Sequence, residues 1–126
     1  MTDFDPVELL KALEAGKVDF IVVGGFAVIA HGVVRATKDL DIVPSTDPAN
    51  LDRLATALRS INAEQIGVES DTIPPYDTLA AQAVEVTFEG MKLKVCSLDH
   101  LRFMKRASGR PQDLRDLEDL DIANEE

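Results

Sequence analysis

The chain has 126 residues, 45% of them hydrophobic, which is enough for one domain to bury a core without cross-links. Its 23 acids against 13 bases leave a formal charge of −10, which excludes the broad phosphate-neutralising surface of nonspecific nucleic-acid binding but leaves room for a single triphosphate held by local charge. The lone cysteine, Cys96, excludes an internal disulfide; with no charged-then-apolar leader and no apolar run of membrane-spanning length, the expectation is a reducing cytoplasm.

Asp5-Pro6-Val7-Glu8 reads as a helix start, with Asp5 as N-cap, Pro6 at the first helical position and Glu8 closing a capping box. Leu9, Leu10 and Leu13 give this helix an apolar face and Gly16 ends it. Phe20–Val23 is short, apolar and β-branched, so it reads as a buried strand. Gly24-Gly25 leads from it into a short helix, Phe26–His31, closed by Gly32. A strand feeding a helix through glycines exposes backbone N–H groups that suit a phosphate, although the same pair also makes a plain tight turn. His31, at the end of an apolar helix, reads as a packing or capping residue.

Arg35 and Thr37 lead into a second strand, Lys38–Pro44, where Asp39 and Asp41 alternate with Leu40 and Ile42. Residues two apart in a strand share a face, so both carboxylates stand together over one side with Leu40 and Ile42 buried on the other. Such a pair is stable only with a cation or a shared proton, and oxygen ligands alone favour Mg²⁺ or Mn²⁺ over zinc. The plainer alternative is a half-exposed strand with solvated acids.

Asp47-Pro48 repeats the cap-and-proline start, and Leu51, Leu54, Ala55, Leu58 and Ile61 trace a helical stripe. Asn62–Asp77 carries Gly67, Pro74-Pro75 and several acids without sustained periodicity, and Thr78–Ala83 reads as a helical turn capped by Asp77. Val84–Phe88 and Met91–Val95 alternate about a Glu89-Gly90 turn, predicting a hairpin. Ser97 caps a helix running to about Ala107, Gly109 ends it, and Pro111 opens a last helix with Leu114, Leu117 and Leu120 on one side. Lys105, Arg110, Asp113 and Asp116 crowd this corner; without further information they read as a solvated surface with helix-end charge pairs.

With Gly24-Gly25, Arg35, Thr37 and Asp39-Leu40-Asp41 in order, the chain resembles the nucleotidyltransferase superfamily, most closely the small prokaryotic proteins grouped with the AbiEii-type toxins of toxin–antitoxin systems. The closing run from Ser97 through Lys105, Gly109-Arg110 and Asp113 to Asp116 is similar to the end of the same group. The resemblance covers residues 18–61 and 84–120. It implies a single domain of α+β (α/β) class with the polymerase beta-like fold, a small mixed sheet flanked by helices. It implies transfer of a nucleoside monophosphate from an NTP to an RNA or protein hydroxyl, with a cognate antitoxin as a further partner. Asp39 and Asp41 would hold Mg²⁺ (or Mn²⁺), and Asp39, Asp41, Lys105 and Asp113 would form the catalytic set. Gly24, Gly25, Arg35, Thr37, Lys105 and Arg110 would contact the nucleotide. Active relatives also carry a third carboxylate on a later strand, within a Leu-Asp-Leu-Leu stretch that this chain lacks between Ile61 and Val84. Glu85, Glu69 and Asp71 are the acids available to replace it, and without one the rival expectation is a nucleotide-binding or interaction module impaired in transfer.

Overall fold

A computed structural model describes residues 5–37, 39–61 and 72–125. Six helices and four strands are defined within them. Helix α1 (Pro6–Ala15) is capped by Asp5, whose carboxylate accepts from the Val7 N–H at 3.0 Å, while the capping box expected from Glu8 does not form among the described residues; Leu9, Leu10 and Leu13 turn inward. Strand β1 (Phe20–Val23) is buried at every position, so it reads as a continuous apolar run rather than an alternation. It feeds α2 (Gly24–Ala30), which takes both glycines into its first turn. Strand β2 (Asp41–Pro44) pairs antiparallel with β1, Phe20 facing Pro44 and Val23 facing Asp41.

That register shortens the predicted acidic strand. β1 ends at Val23, whose partner is Asp41, so no strand residue remains opposite Asp39 or Leu40. The other end is clamped by Asn50, a buried amide on α3 (Pro48–Ser60). Its Oδ1 accepts from the Asp19 N–H at 2.7 Å, while its Nδ2 donates to the carbonyls of Asp19 and Ser45 at 3.0 and 2.9 Å. One side chain thus fixes where the strands start and finish. The inward face of α3 runs through Asn50, Leu54 and Ala57, whereas Leu51, placed on the predicted stripe, is exposed. Asp47 precedes this helix without a side-chain cap bond.

Helix α4 (Tyr76–Gln82) starts two residues earlier than expected, with Pro75 as its N-cap and Asp77 inside its first turn rather than capping it. The predicted hairpin is present as β3 (Val84–Phe88) and β4 (Met91–Val95). Both turn residues have positive φ, 50° at Glu89 and 76° at Gly90, the combination that matches the twist of a two-residue hairpin. β4 joins β1 in parallel, giving the order β2-β1-β4-β3. Helix α5 (Leu98–Ser108) is capped by Ser97, whose hydroxyl accepts from the His100 N–H at 3.1 Å, and ends at Gly109. Helix α6 (Pro111–Ala123) turns back against it. The whole is a small mixed sheet with helices, an α+β arrangement of the nucleotidyltransferase-like kind.

The inward face of α6 is the main departure from the apolar pattern. Leu114 is 53% exposed, while Asp113, Asp116 and Leu120 are buried. Seven residues make nearly two full turns at 3.6 per turn, so Asp113 falls in line with Leu120 and Leu114 does not. His31 behaves as expected, its Nε2 donating to the Cys96 carbonyl at 2.8 Å and its own carbonyl accepting from Asn124 at 3.0 Å.

Candidate active site

Because Asp41 opens β2 opposite the last residue of β1, its carboxylate stands directly over the Gly24 bend. Gly24 has φ +68°, and a Cβ there would meet the Asp41 side chain, lying 3.0 Å from its Cβ and 3.1 Å from its Cγ with Oδ2 closer still. Gly25 is crowded from the next turn of chain: a Cβ there would lie 2.7 Å from Thr37 Oγ1 and 3.2 Å from Arg35 Nη1. The glycine pair is thus a surface onto which Arg35, Thr37 and Asp41 all close. Thr37 Oγ1 also donates to the Asp39 carbonyl at 3.2 Å, fixing the chain just ahead of the acidic pair.

Asp39 lies off the strand yet acts on the same space. Burial raises the Asp41 carboxyl above its ordinary value, the Asp39 charge raises it further, and Lys105 and Arg110 oppose both. These four side chains, with Gly24, Gly25, Arg35, Thr37 and Asp113, line one cleft of about 1430 Å³. That is ample for a ligand of nucleotide size and a second substrate. Its apolar wall includes Ile42, Ile73, Tyr76 and Met104.

Across the cleft from the acidic pair lies a buried ionic network rather than the solvated charges that the sequence suggested. Lys105 Nζ sits 3.0 Å from Asp113 Oδ1 and 2.9 Å from Asp116 Oδ2, the first contact having hydrogen-bond geometry and the second being electrostatic only. Arg110, itself exposed, donates to Asp113 Oδ2 through its backbone N–H at 3.1 Å and through Nε at 2.8 Å. Burial works to raise the Asp113 carboxyl, but hydrogen bonds from Arg110, Lys105 and Ser108 outweigh it and hold the group well below the usual carboxylate range. Arg110 is raised in turn, chiefly by its hydrogen bond to Asp113. Arg35 Nε reaches Asp116 Oδ1 at 3.6 Å, tying the linker before β2 to α6.

All nine residues expected at the site therefore converge on one cleft. Of the acids proposed to replace a third carboxylate, Glu85 does not join them. Glu85 is exposed on β3, at the opposite edge of the sheet from β2, with Lys92 Nζ at 3.9 Å as its partner. Glu69 and Asp71 lie outside the described residues. Asp116 and its hydrogen-bonding neighbour Gln112 belong to the network but were not among the expected site residues; the i, i+3 and i+7 spacing of Asp113, Asp116 and Leu120 was the available signal for Asp116.

The donor set fits a hard divalent cation bound together with its substrate. Among the described residues, the charges lining the cleft are Arg35, Lys105 and Arg110 against Asp39, Asp41, Asp77 and Asp113, a balance of these side chains that a triphosphate would make more negative unless a cation enters with it. Mg²⁺ needs only one or two carboxylates when phosphates and waters complete its shell. Among the described residues no group of three or more His, Cys, Asp or Glu is arranged to hold a metal by itself.

A strand ending on a glycine pair, an acid opening the neighbouring strand and a lysine–aspartate wall are the arrangement expected of a nucleotidyltransferase. Residues 5–125 match the model of a family described as nucleotidyltransferase of unknown function (DUF6036), and the chain belongs to that family. Neither the curated proteins nor the solved structures compared with it gave a match. Among the described residues, no helix is long and apolar enough to cross a membrane.

Proposed function

We propose that the chain acts as a single-domain cytoplasmic enzyme of the AbiEii toxin type, transferring a nucleoside monophosphate from an NTP to a hydroxyl of RNA or of a protein and releasing pyrophosphate. Its regulating partner on this reading is a cognate antitoxin. The observation that carries the proposal is the placing of Asp41, with the charge of Asp39 beside it, over the Gly24-Gly25 bend and opposite Lys105 and Arg110.

Asp39 and Asp41 are the residues that would hold Mg²⁺ or Mn²⁺, which when bound supplies charge neutralisation for the phosphates and polarises the reacting oxygens. The residues of this chain do the rest. Backbone N–H groups at Gly24 and Gly25, where the N-cap Val23 supplies no side-chain bond, donate to phosphate oxygens. Arg35 and Arg110 add charge-assisted donors, and Thr37 holds the chain at Asp39. Lys105 neutralises phosphate charge from the cleft wall, and Asp113 orients it through the 3.0 Å contact. The experiment is incubation with each labelled NTP and candidate RNA or protein acceptors, comparing wild type with Asp41→Ala. Labelling by wild type alone supports the assignment, and equal labelling by both removes it.

A second reading is favoured by the absence of a third acid beside Asp39 and Asp41 among the described residues. On it the chain binds a metal–nucleotide complex without transferring it, as an interaction module. Calorimetry with Mg²⁺ and each NTP separates the two: binding without turnover supports the module, and turnover dismisses it.

A further inference from the structure

Asp116 has no exposed surface, yet three segments of the chain meet on its carboxylate. Lys105 Nζ of α5 approaches Oδ2 at 2.9 Å, Arg35 Nε from the linker approaches Oδ1 at 3.6 Å, and Gln112 Nε2 donates to Oδ1 at 2.9 Å. Burying a carboxylate this deeply is costly unless cations face it, and here two cations from separate elements share it. Those cations depend on it unequally. Lys105 keeps Asp113 as a second partner at 3.0 Å, whereas Asp116 is the ion-pair partner of Arg35 among the described residues. Arg35 Nη1 is buried without a hydrogen-bond partner among the described residues and stands 3.2 Å from where a Cβ at position 25 would sit. Its unpaired donors thus lie at the glycine turn, held from behind by an acid on the opposite helix.

We infer that Asp116 is a positioning residue for the nucleotide's phosphates: its buried carboxylate holds Arg35 at Gly25 and Lys105 in the cleft wall, fixing the two cations relative to one another. This rests on the reading of the cleft as an NTP site. Removing the charge leaves Lys105 paired with Asp113 but releases Arg35, so phosphate contacts loosen on the Arg35 side first.

The test is calorimetric binding of each of the four NTPs with Mg²⁺ to the full chain, as wild type, Asp116→Asn, Asp116→Glu, Lys105→Met and Lys105→Met/Asp116→Asn, with melting temperature measured in parallel. Asp116→Asn should weaken binding about tenfold or more, the value of a charge-assisted phosphate contact, and Asp116→Glu should recover part of it. Where transfer is measurable, the loss should appear in KM for the NTP rather than in kcat. The double variant should bind more weakly than Lys105→Met alone, because Arg35 is released in addition; this comparison, between two chains that both lack Lys105, decides the matter if Asp116→Asn fails to fold. Wild-type affinity in folded Asp116→Asn, or no further loss in the double variant, overturns the inference while leaving the NTP site standing. Failure of wild type to bind any NTP removes both.

Discussion

Replacing Gly24 with alanine probes the contact on which the site is built. The substitution puts a side chain into φ +68°, which costs about 1–2 kcal/mol for an L-residue. It also drives a Cβ against the Asp41 side chain, at 3.0 Å from Cβ and 3.1 Å from Cγ, and overpacking of this kind adds about 1–3 kcal/mol. Together these are about 2–5 kcal/mol, a large share of the roughly 5–15 kcal/mol that stabilises a domain of this size, and equivalent to a fall of about 10 °C or more in melting temperature. Gly90 supplies the control. Its φ of +76° is equally unsuited to alanine, but nothing lies within 4 Å of a Cβ there, so Gly90→Ala bears only the backbone part, about 1–2 kcal/mol. Urea denaturation of both variants, and of Gly24→Ala in an Asp41→Ala background, isolates the collision. The double variant should recover about 1 kcal/mol or more of the Gly24→Ala loss, because Cγ and both carboxylate oxygens are gone. Equal losses at positions 24 and 90, or a Gly24→Ala cost unchanged by Asp41→Ala, would show that Asp41 does not stand over the bend.

Other consequences follow from the electrostatics. The Asp41 carboxyl is raised by burial and by Asp39, so the folded state binds its proton more tightly than the unfolded chain, and ionised Asp41 lowers stability as pH rises from 3.8 through the raised value. Asp41→Asn should therefore melt higher than wild type at pH 7, with the advantage shrinking on acidification. Asp113 behaves oppositely: hydrogen bonds from Arg110, Lys105 and Ser108 outweigh burial and depress it, so its stabilisation is full above the ordinary value of 3.8 and is lost as pH falls below that toward the folded value. The destabilisation caused by Asp113→Asn should accordingly be greatest near neutrality in pH-dependent urea titrations. Lys105→Met leaves Asp113 and Asp116 buried without their shared cation and should cost about 3–5 kcal/mol in the same assay. Burial pushes the Cys96 thiol up to about 12, so a thiol reagent at pH 8 should label the chain only after denaturation; rapid native labelling would contradict its burial between β4 and α5.

Local chemistry made much of this legible in advance. Proline and Ser or Asp starts marked α1 and α5, Glu89-Gly90 marked the hairpin, and the Gly-Gly and Asp-Leu-Asp spacing marked the cleft. What escaped was decided by tertiary register. Asp39 falls outside β2 because β1 runs out opposite Asp41, a fact of pairing that no window on either strand contains. Asn50 is polar and so dropped out of an apolar stripe, although its amide bonds at both strand ends place it in the core. Asp113 and Asp116 look like surface acids until Lys105 and Arg35, on two other segments, arrive to compensate them. Ionic burial is a property of a constellation, so a helix read alone assigns Leu114 the inner position that these acids hold.

The most direct measurement is Mg²⁺-dependent binding of NTPs by calorimetry, with wild type set against Asp39→Asn and Asp41→Asn. Saturable binding by wild type that is abolished by chelator and by either substitution is the predicted result. Binding that persists unchanged in both variants, or that ignores the divalent ion, would contradict the assignment of the two aspartates.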